Sequence, residues 1–195
     1  MSWILHPVVL TGTKVKLIPL QQVHFAALTA IAAHKSIWEY MGFDGTDKDR
    51  VLLHLYSSLI ACKSNLQYPF AIIDTKTNEV IGSTMFHNIY PENRKLEIGW
   101  TWLHPDYWRS GHNRECKLLL LTYCFETLNT LRVQFQANEQ NKRSCNAIVG
   151  IGAQFEGIIR NDRIRENGQL RNTALFSIID SEWKDIKKKL IESIH

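Results

Sequence analysis

The sequence predicts a single α/β domain with a mixed, largely antiparallel sheet flanked by helices, and three observations carry that prediction. Short apolar runs with a period of two, the signature of strands, are interspersed with runs at helical spacing. No repeat, low-complexity stretch or linker interrupts them, so they belong to one unit. With 195 residues the chain suits one domain, 1–195, which buries a core without help from disulfides or metals.

Residues 15–20 (VKLIPL) read as a strand, and residues 21–34, with Val23, Ala26, Ala27, Ala30 and Ile31 at helical spacing, as a helix. A second helix runs from residue 47 or 48 to 63 behind a cap at Thr46 or Asp47, with Val51, Leu52, Leu55, Leu59 and Ile60 on one face. Residues 69–74 and 79–86 are β-rich runs joined by the polar turn Thr75-Lys76-Thr77-Asn78, which predicts a hairpin. Residues 95–103 extend the meander, and unbroken alternation puts Leu96, Ile98, Trp100 and Trp102 on one face, with Glu97, Gly99, Thr101 and Leu103 on the other. Gly82 and Gly99 mark close backbone approach or a bulge. After a loop over 105–112 come an apolar helix (113–128), a strand (132–137) and a short helix (141–151) ended by Gly152. A hairpin of 154–160 with 173–179 turns at Gly168, and Asp180 or Ser181 caps a last helix carrying Trp183, Ile186 and Leu190.

The net charge is +4 and the basic residues are scattered, apart from Lys187-Lys188-Lys189, which read as a solvated helix end; no nucleic-acid surface is predicted. Cys62, Cys116, Cys124 and Cys145 form no C-x-x-C pair and have no histidines at zinc-ligand spacing, so reduced thiols and no metal are expected. Cys116, Cys124 and Cys145 lie in helix patterns without a histidine partner and read as small buried residues, not nucleophiles. The N-terminus lacks a basic stretch followed by a sustained apolar one, and no window is apolar enough to span a membrane; a soluble, cytoplasmic protein is expected.

Chemistry concentrates in residues 97–115, EIGWTWLHPDYWRSGHNRE. A strand that enters a glycine turn and then a helix binds anions, because the first helical N–H groups have no partners within the helix. Trp108-Arg109-Ser110-Gly111-His112-Asn113 is such a turn, and Arg109, His112 and Arg114 add positive charge suited to a phosphate or pyrophosphate. One glycine before a helix is by itself more often an ordinary connection.

Several segments occur in a telling order: KVKLIPLQQVHFAAL, PFAIID followed by IGSTMF, EIGWTWLHPDYW, RSGHNRE, KLLLLTYCFETL, RVQFQANEQNKRS, GAQFEGIIR and SIIDSEW. Over almost its whole length the chain thereby resembles the GNAT acetyltransferases, and within them the RimJ/RimL-type ribosomal-protein N-terminal acetyltransferases. The resemblance implies an acetyl-CoA cleft between splayed strands and direct acetyl transfer to a primary amine. It assigns Arg109, Ser110, Gly111, His112, Asn113 and Arg114 to the CoA pyrophosphate and the main chain of Trp102 and Leu103 to the pantetheine arm. Asn141 and Ser144 would also contact CoA, with helix capping as the alternative role, an alternative as strong for Ser144 and weaker for Asn141.

Two positions depart from the family pattern. The loop motif Gln/Arg-x-x-Gly-x-Gly/Ala has Trp108 first and Asn113 last here, and Ile148 stands where many members carry a tyrosine that protonates the departing thiolate. Ser144 or solvent then supplies that proton. Glu97 is the preferred general base, facing away from Trp100 and Trp102, with a salt bridge to Arg94 or Lys95 as its alternative role. Trp100, Trp102, Tyr90, Tyr107 and Trp108 line a substrate groove or, more simply for the two strand tryptophans, fill the core. An α-amine titrates near 7.7–8.0 and a lysine near 10.4, so freeing the amine at neutral pH costs about 1 kcal/mol in the first case and roughly 4–5 in the second. A modest base therefore suits a protein N-terminus. A small-molecule amine acceptor or a non-catalytic acyl-CoA-binding module are the alternatives, and monomer or homodimer is left open.

Overall fold

The computed structural model describes residues 3–165 and 168–194. Strands β1 (Leu10–Thr11), β2 (Val15–Pro19), β3 (Tyr68–Asp74), β4 (Val80–Tyr90), β5 (Lys95–Leu103), β6 (Arg132–Asn138), β7 (Gln154–Ile164) and β8 (Leu170–Ile179) form one sheet in the order β1-β2-β3-β4-β5-β6-β8-β7. Among the described residues every neighbouring pair is antiparallel except β5 and β6. The helices are α1 (Phe25–Ala32), α2 (Lys48–Lys63), α3 (His112–Thr122), α4 (Lys142–Gly150) and α5 (Asp180–Glu192). This is the mixed, largely antiparallel architecture expected from the sequence.

The sheet is covered on both faces, which is why all seven residues of β3 are buried. On one side α1 and α2 pack Phe25, Leu28, Val51 and Leu55 against Ala71, Ile73 and Trp102. On the other, Cys116, Leu120 and Leu121 of α3, with Ile148 of α4 and Trp183 of α5, meet Phe70, Ile72, Phe86, Leu96, Ile98, Val133 and Phe135. Among the described residues no helix is long and apolar enough to cross a membrane.

Several local expectations are corrected. Asp47, not Thr46, caps α2, its carboxylate accepting from the N–H groups of Asp49 and Arg50. The buried face of α2 uses Val51, Leu55 and Ser58, while Ile60 is 66% exposed. The final helix is capped by Ile179, whose N–H donates to the Glu182 carboxylate, so neither Asp180 nor Ser181 is the cap. The helix predicted over 113–128 is α up to Thr122 and finishes as a π turn over Tyr123–Thr127. Lys187 is not simply solvated: its ammonium lies 2.6 Å from Glu126, which also accepts from the Trp183 indole, and this ties α5 to that π turn. The hairpin of β7 and β8 is longer than expected, and at its tip Glu166 and Asn167 lie outside the described residues.

The largest departure lies in β5. Met85 faces Gly99 and Ser83 faces Trp102, so β5 passes three residues where β4 passes two, and Trp100 takes a left-handed φ of 50°. This bulge reverses the alternation. Leu96 and Ile98 point into the core beneath α3, whereas Trp102 points into the core beneath α1 and α2 and Leu103 returns to the α3 side. The four residues expected on one face are thus divided between two.

Glu115, in the first turn of α3, is 4% exposed and organises the N-terminal turn. One carboxylate oxygen accepts from the N–H and hydroxyl of Thr13 (2.9 and 2.6 Å), and the other accepts from the N–H groups of Lys14 and Val15 (2.7 Å each). Burial opposes its charge, but these donors prevail and hold the carboxyl below its ordinary value.

Candidate active site

The parallel strands β5 and β6 pair only from Lys95 opposite Arg132 to Glu97 opposite Gln134. Beyond that point they diverge, although β5 continues to Leu103 and β6 to Asn138. The result is a wedge whose β5 wall is an unpaired strand edge.

At the wide end of the wedge the chain leaves β5 and enters α3. Gly111 is the N-cap, with φ of 89° and no side-chain cap, so the first N–H groups of α3 are not consumed by a capping side chain. Arg109 is exposed and itself left-handed, with φ of 60°. The Ser110 hydroxyl is 2.5 Å from the Tyr107 carbonyl and 2.7 Å from His112 Nδ1, and the far side of the His112 ring faces Asp74 at 4.0 Å. The Asn113 Oδ1 is buried without a hydrogen-bond partner. Arg114 points away from the loop, donating to the Ser193 carbonyl at the end of α5. The structure therefore groups Arg109 to Asn113 around one helix terminus and leaves Arg114 outside that group.

Trp108, the residue that departs from the family motif, has a clear structural role. Its indole N–H donates to the Leu103 carbonyl (3.0 Å), and the Arg143 guanidinium of α4 lies 3.9 Å over its ring, linking the two walls of the wedge. Leu103, expected to bind through its main chain, has its carbonyl engaged by this contact. The Trp102 carbonyl faces β4 instead: a methyl group at Gly82 would lie 2.1 Å from it. Lys14, unforeseen from sequence, brings its side chain to the same terminus, with Cε 3.3 Å from where a Gly111 side chain would begin.

On the other wall, Asn141 caps α4, its side-chain oxygen accepting from the Ser144 N–H (3.0 Å). Ser144 is half-buried in the first turn. Ile148, at the position of the family tyrosine, is 8% exposed and packed in the core beneath the sheet.

Glu97 is buried, at 3% exposure, and lies at the apex of the wedge. Because of the bulge it shares the α1 and α2 side of the sheet with Trp100 and Trp102, contrary to the expected alternation. Its partners are neither Arg94, which donates to the Asn129 carbonyl, nor Lys95, which lies over the Tyr90 ring. Asn88 and Gln134 each donate to Oε2 at 3.1 Å, and His87 Nε2 lies 3.3 Å from Oε1. Burial opposes the carboxylate charge, but His87, Asn88 and Gln134 outweigh it and keep the carboxyl below its ordinary value. An ionised, enclosed carboxylate of lowered basicity is a poor direct proton acceptor and a good electrostatic partner.

The same side holds Trp100, tilted against His54 (ring centroids 4.7 Å) and Phe43 (6.1 Å). Burial lowers the His54 pKa to about 4, so this imidazole is neutral at physiological pH. Next to this aromatic set, between the loop after α1 and the β7–β8 hairpin, lies an open groove of about 550 Å³ lined by Trp38, Glu39, Met41, Phe43, Asp44 and Arg165. On the opposite side of β5, Lys117 is 6% exposed and donates to the Thr101 hydroxyl at 2.5 Å, which in turn contacts Thr84 at 2.7 Å. His87, Gln134, Lys14 and Lys117 were not singled out from sequence, because their relevance follows from strand register and not from any local motif.

A family model described as an acetyltransferase (GNAT) domain matches residues 14–154. The chain is 32% identical over 114 residues to "Uncharacterized N-acetyltransferase p20" of Bacillus licheniformis, covering 58% of this chain and 63% of that protein. It is 32% identical over 106 residues to "Putative ribosomal N-acetyltransferase YdaF" of Bacillus subtilis, covering 54% of this chain and 57% of that one. The matches thus span less than two thirds of either relative. A crystal structure of a GCN5-related N-acetyltransferase from Brucella melitensis superposes with a TM-score of 0.88 at 27% identity, over 96% of this chain and 86% of that one. The splayed strands, the glycine-capped helix beside them and the family match over most of the sequence agree, and the chain belongs to the GNAT acetyltransferase family.

Proposed function

We propose that this protein transfers the acetyl group of acetyl-CoA to a protein N-terminal α-amine, as an enzyme of the RimJ/RimL type acting on a ribosomal protein in the cytoplasm. The observation that carries the reading is the wedge, with an anion-binding helix terminus at its wide end and a buried carboxylate at its apex. The pyrophosphate is assigned to the N–H groups of His112 and Asn113 behind Gly111, with Arg109 and Ser110 beside it; Arg114 enters only by leaving its contact on α5. The pantetheine arm follows the free edge of β5 past Trp102 and Leu103, and Asn141 and Ser144 face it from α4. Ser144 is the protein group offered to the departing thiolate. The acceptor amine approaches from the α1 and α2 side. The open groove there, with both carboxylates and a guanidinium on its rim, accommodates an extended peptide end. The ribosomal acceptor is supported by the similarity to YdaF.

Release of CoA thiol in the presence of acetyl-CoA and an acceptor panel tests the reading. Peptides with a free α-amine are expected to turn over, the same peptides with a blocked N-terminus are not, and small amines are expected to react more slowly. Turnover of small amines alone would reassign the acceptor, and acetyl-CoA binding with no turnover would make the chain a binding module.

Gly111→Ala is expected to weaken acetyl-CoA binding about tenfold by calorimetry. A left-handed φ costs a residue with a Cβ roughly 1–2 kcal/mol, and relieving that strain reorients the N–H groups of the first turn. Unchanged affinity would place the pyrophosphate elsewhere.

A further inference from the structure

We propose that His87 is the proton acceptor of the transfer reaction, with Glu97 as the buried anion that orients its ring and balances its charge. The proposal rests on the acetyltransferase reading above and deepens it. Glu97 itself is poorly placed to receive the proton: it is 3% exposed, and its two oxygens face Asn88, Gln134 and His87. His87, its cross-strand neighbour on β4, lies on the same face of the sheet across β5 from the wedge and is less enclosed, with 12% of its side chain exposed.

The ring lies over the bulge of β5. A methyl group at Gly99 would come within 2.4 Å of His87 Nε2, so the absence of a side chain at Gly99 makes room for the imidazole. The free edge assigned to the acyl-pantetheine begins just beyond Glu97 and runs past Gly99 and the bulge at Trp100. His87 thus lies over the β5 bulge on the α1 and α2 side, the side from which the acceptor approaches.

His87 Nε2 is enclosed, 3.3 Å from Glu97 Oε1, without a well-aligned hydrogen bond to it. Catalytic hydrogen bonds are commonly long or poorly aligned until the reacting complex forms. A proton on Nε2 directed at Glu97 leaves the Nδ1 lone pair to accept another. Glu97 is the carboxylate placed against His87. Asn88 on the same strand and Gln134 on β6 contribute neutral donors to that carboxylate, and His54 of α2, on the same side of the sheet, is held neutral by burial.

The neutral amine forms an N–C bond to the thioester carbonyl carbon as the carbonyl electron pair moves to oxygen. His87 Nδ1 takes the proton that the nitrogen must lose. The intermediate collapses, the C–S bond breaks with its electron pair on sulfur, and the CoA thiolate is protonated from Ser144 or water. The imidazolium then returns its proton to solvent, and where Ser144 was the donor it regains a proton from solvent, so the enzyme ends as it began. The products are the acetylated amine and CoA thiol.

The test combines steady-state rates, pH profiles and acetyl-CoA calorimetry on the full chain. His87→Gln is expected to lower kcat by about 10²–10⁴-fold, the usual contribution of a general base, with acetyl-CoA affinity within about threefold of wild type. The pH profile of kcat should differ between His87→Gln and wild type. Glu97→Gln should lower kcat less, and the double variant should be no slower than His87→Gln, because the two residues act as one unit. Gly99→Ala, which forces the ring aside without altering its chemistry, supplies a second variant should His87→Gln fold poorly, and it should lose kcat as His87→Gln does. If wild type turns over while His87→Gln and Gly99→Ala keep its kcat and pH profile, this proposal falls alone. If wild type transfers acetyl to no amine, the functional reading falls and takes the proposal with it.

Discussion

Replacing Glu115 by alanine is expected to lower the free energy of unfolding by about 3–5 kcal/mol, because three backbone N–H groups and a hydroxyl lose their common acceptor in a largely buried setting. For a chain of this length that corresponds to a fall in Tm of roughly 10 °C or more. The lost contacts fasten residues 13–15 to α3, so the change would also release the Lys14 side chain from beside Gly111 and weaken acetyl-CoA binding. The pH dependence has a definite sign. The folded-state pKa of Glu115 is depressed from 4.5, so its stabilisation is fully present above that value and is lost as pH falls through the folded-state value. The stability gap between wild type and Glu115→Ala should therefore narrow on acidification below about pH 4.5. Denaturant melts at a series of pH values would show it; a constant gap across that range would mean that the carboxylate charge contributes nothing.

Gly82→Ala is the second large effect. The added methyl group would stand 2.1 Å from the Trp102 carbonyl oxygen and 2.9 Å from the Leu103 Cα, both backbone atoms that cannot rotate away. Strands β4 and β5 must separate there, at an expected cost of about 2–4 kcal/mol, towards the upper end for overpacking. Because Trp102 and Leu103 form the β5 wall of the wedge, acetyl-CoA affinity should fall by about tenfold or more in protein that remains folded. Gly42→Ala is the control, since its added methyl would meet the Trp100 ring at an ordinary 3.7 Å. Its stability should stay within about 0.5 kcal/mol of wild type. A Gly82→Ala variant as stable as Gly42→Ala, with unchanged affinity, would mean that β5 accommodates displacement at this point without consequence.

Sequence reading succeeded where a residue's role depends on its immediate neighbours. Gly111 caps a helix because its left-handed backbone excludes most other residues, and Asn141 caps the next because its side chain reaches an N–H three positions on. The apolar periods located every helix and all strands but the two-residue β1. Reading failed where one residue changes a count. The bulge at Trp100 adds a residue to β5, and every side chain beyond it changes faces, so Trp100 and Trp102 join Glu97 and leave Leu96 and Ile98. Arg114 shows a different limit: a long side chain can reach partners far away in sequence, and here it reaches Ser193.

The sequence by itself determined the element order, the mixed sheet, the glycine-capped helix terminus and the family, because these arise from local periodicity, backbone preference and the ordered succession of motifs. The tertiary structure alone decided who surrounds Glu97. His87, Asn88 and Gln134 come from β4 and β6, and they meet it through a hairpin register interrupted by bulges and a parallel pairing only three residues long. Such registers are set by packing of the whole sheet between two helical layers, a long-range balance that no short segment encodes. The physical consequence is that a carboxylate placed on a strand by its sequence becomes, once enclosed by those partners, an ionised support for a neighbouring imidazole.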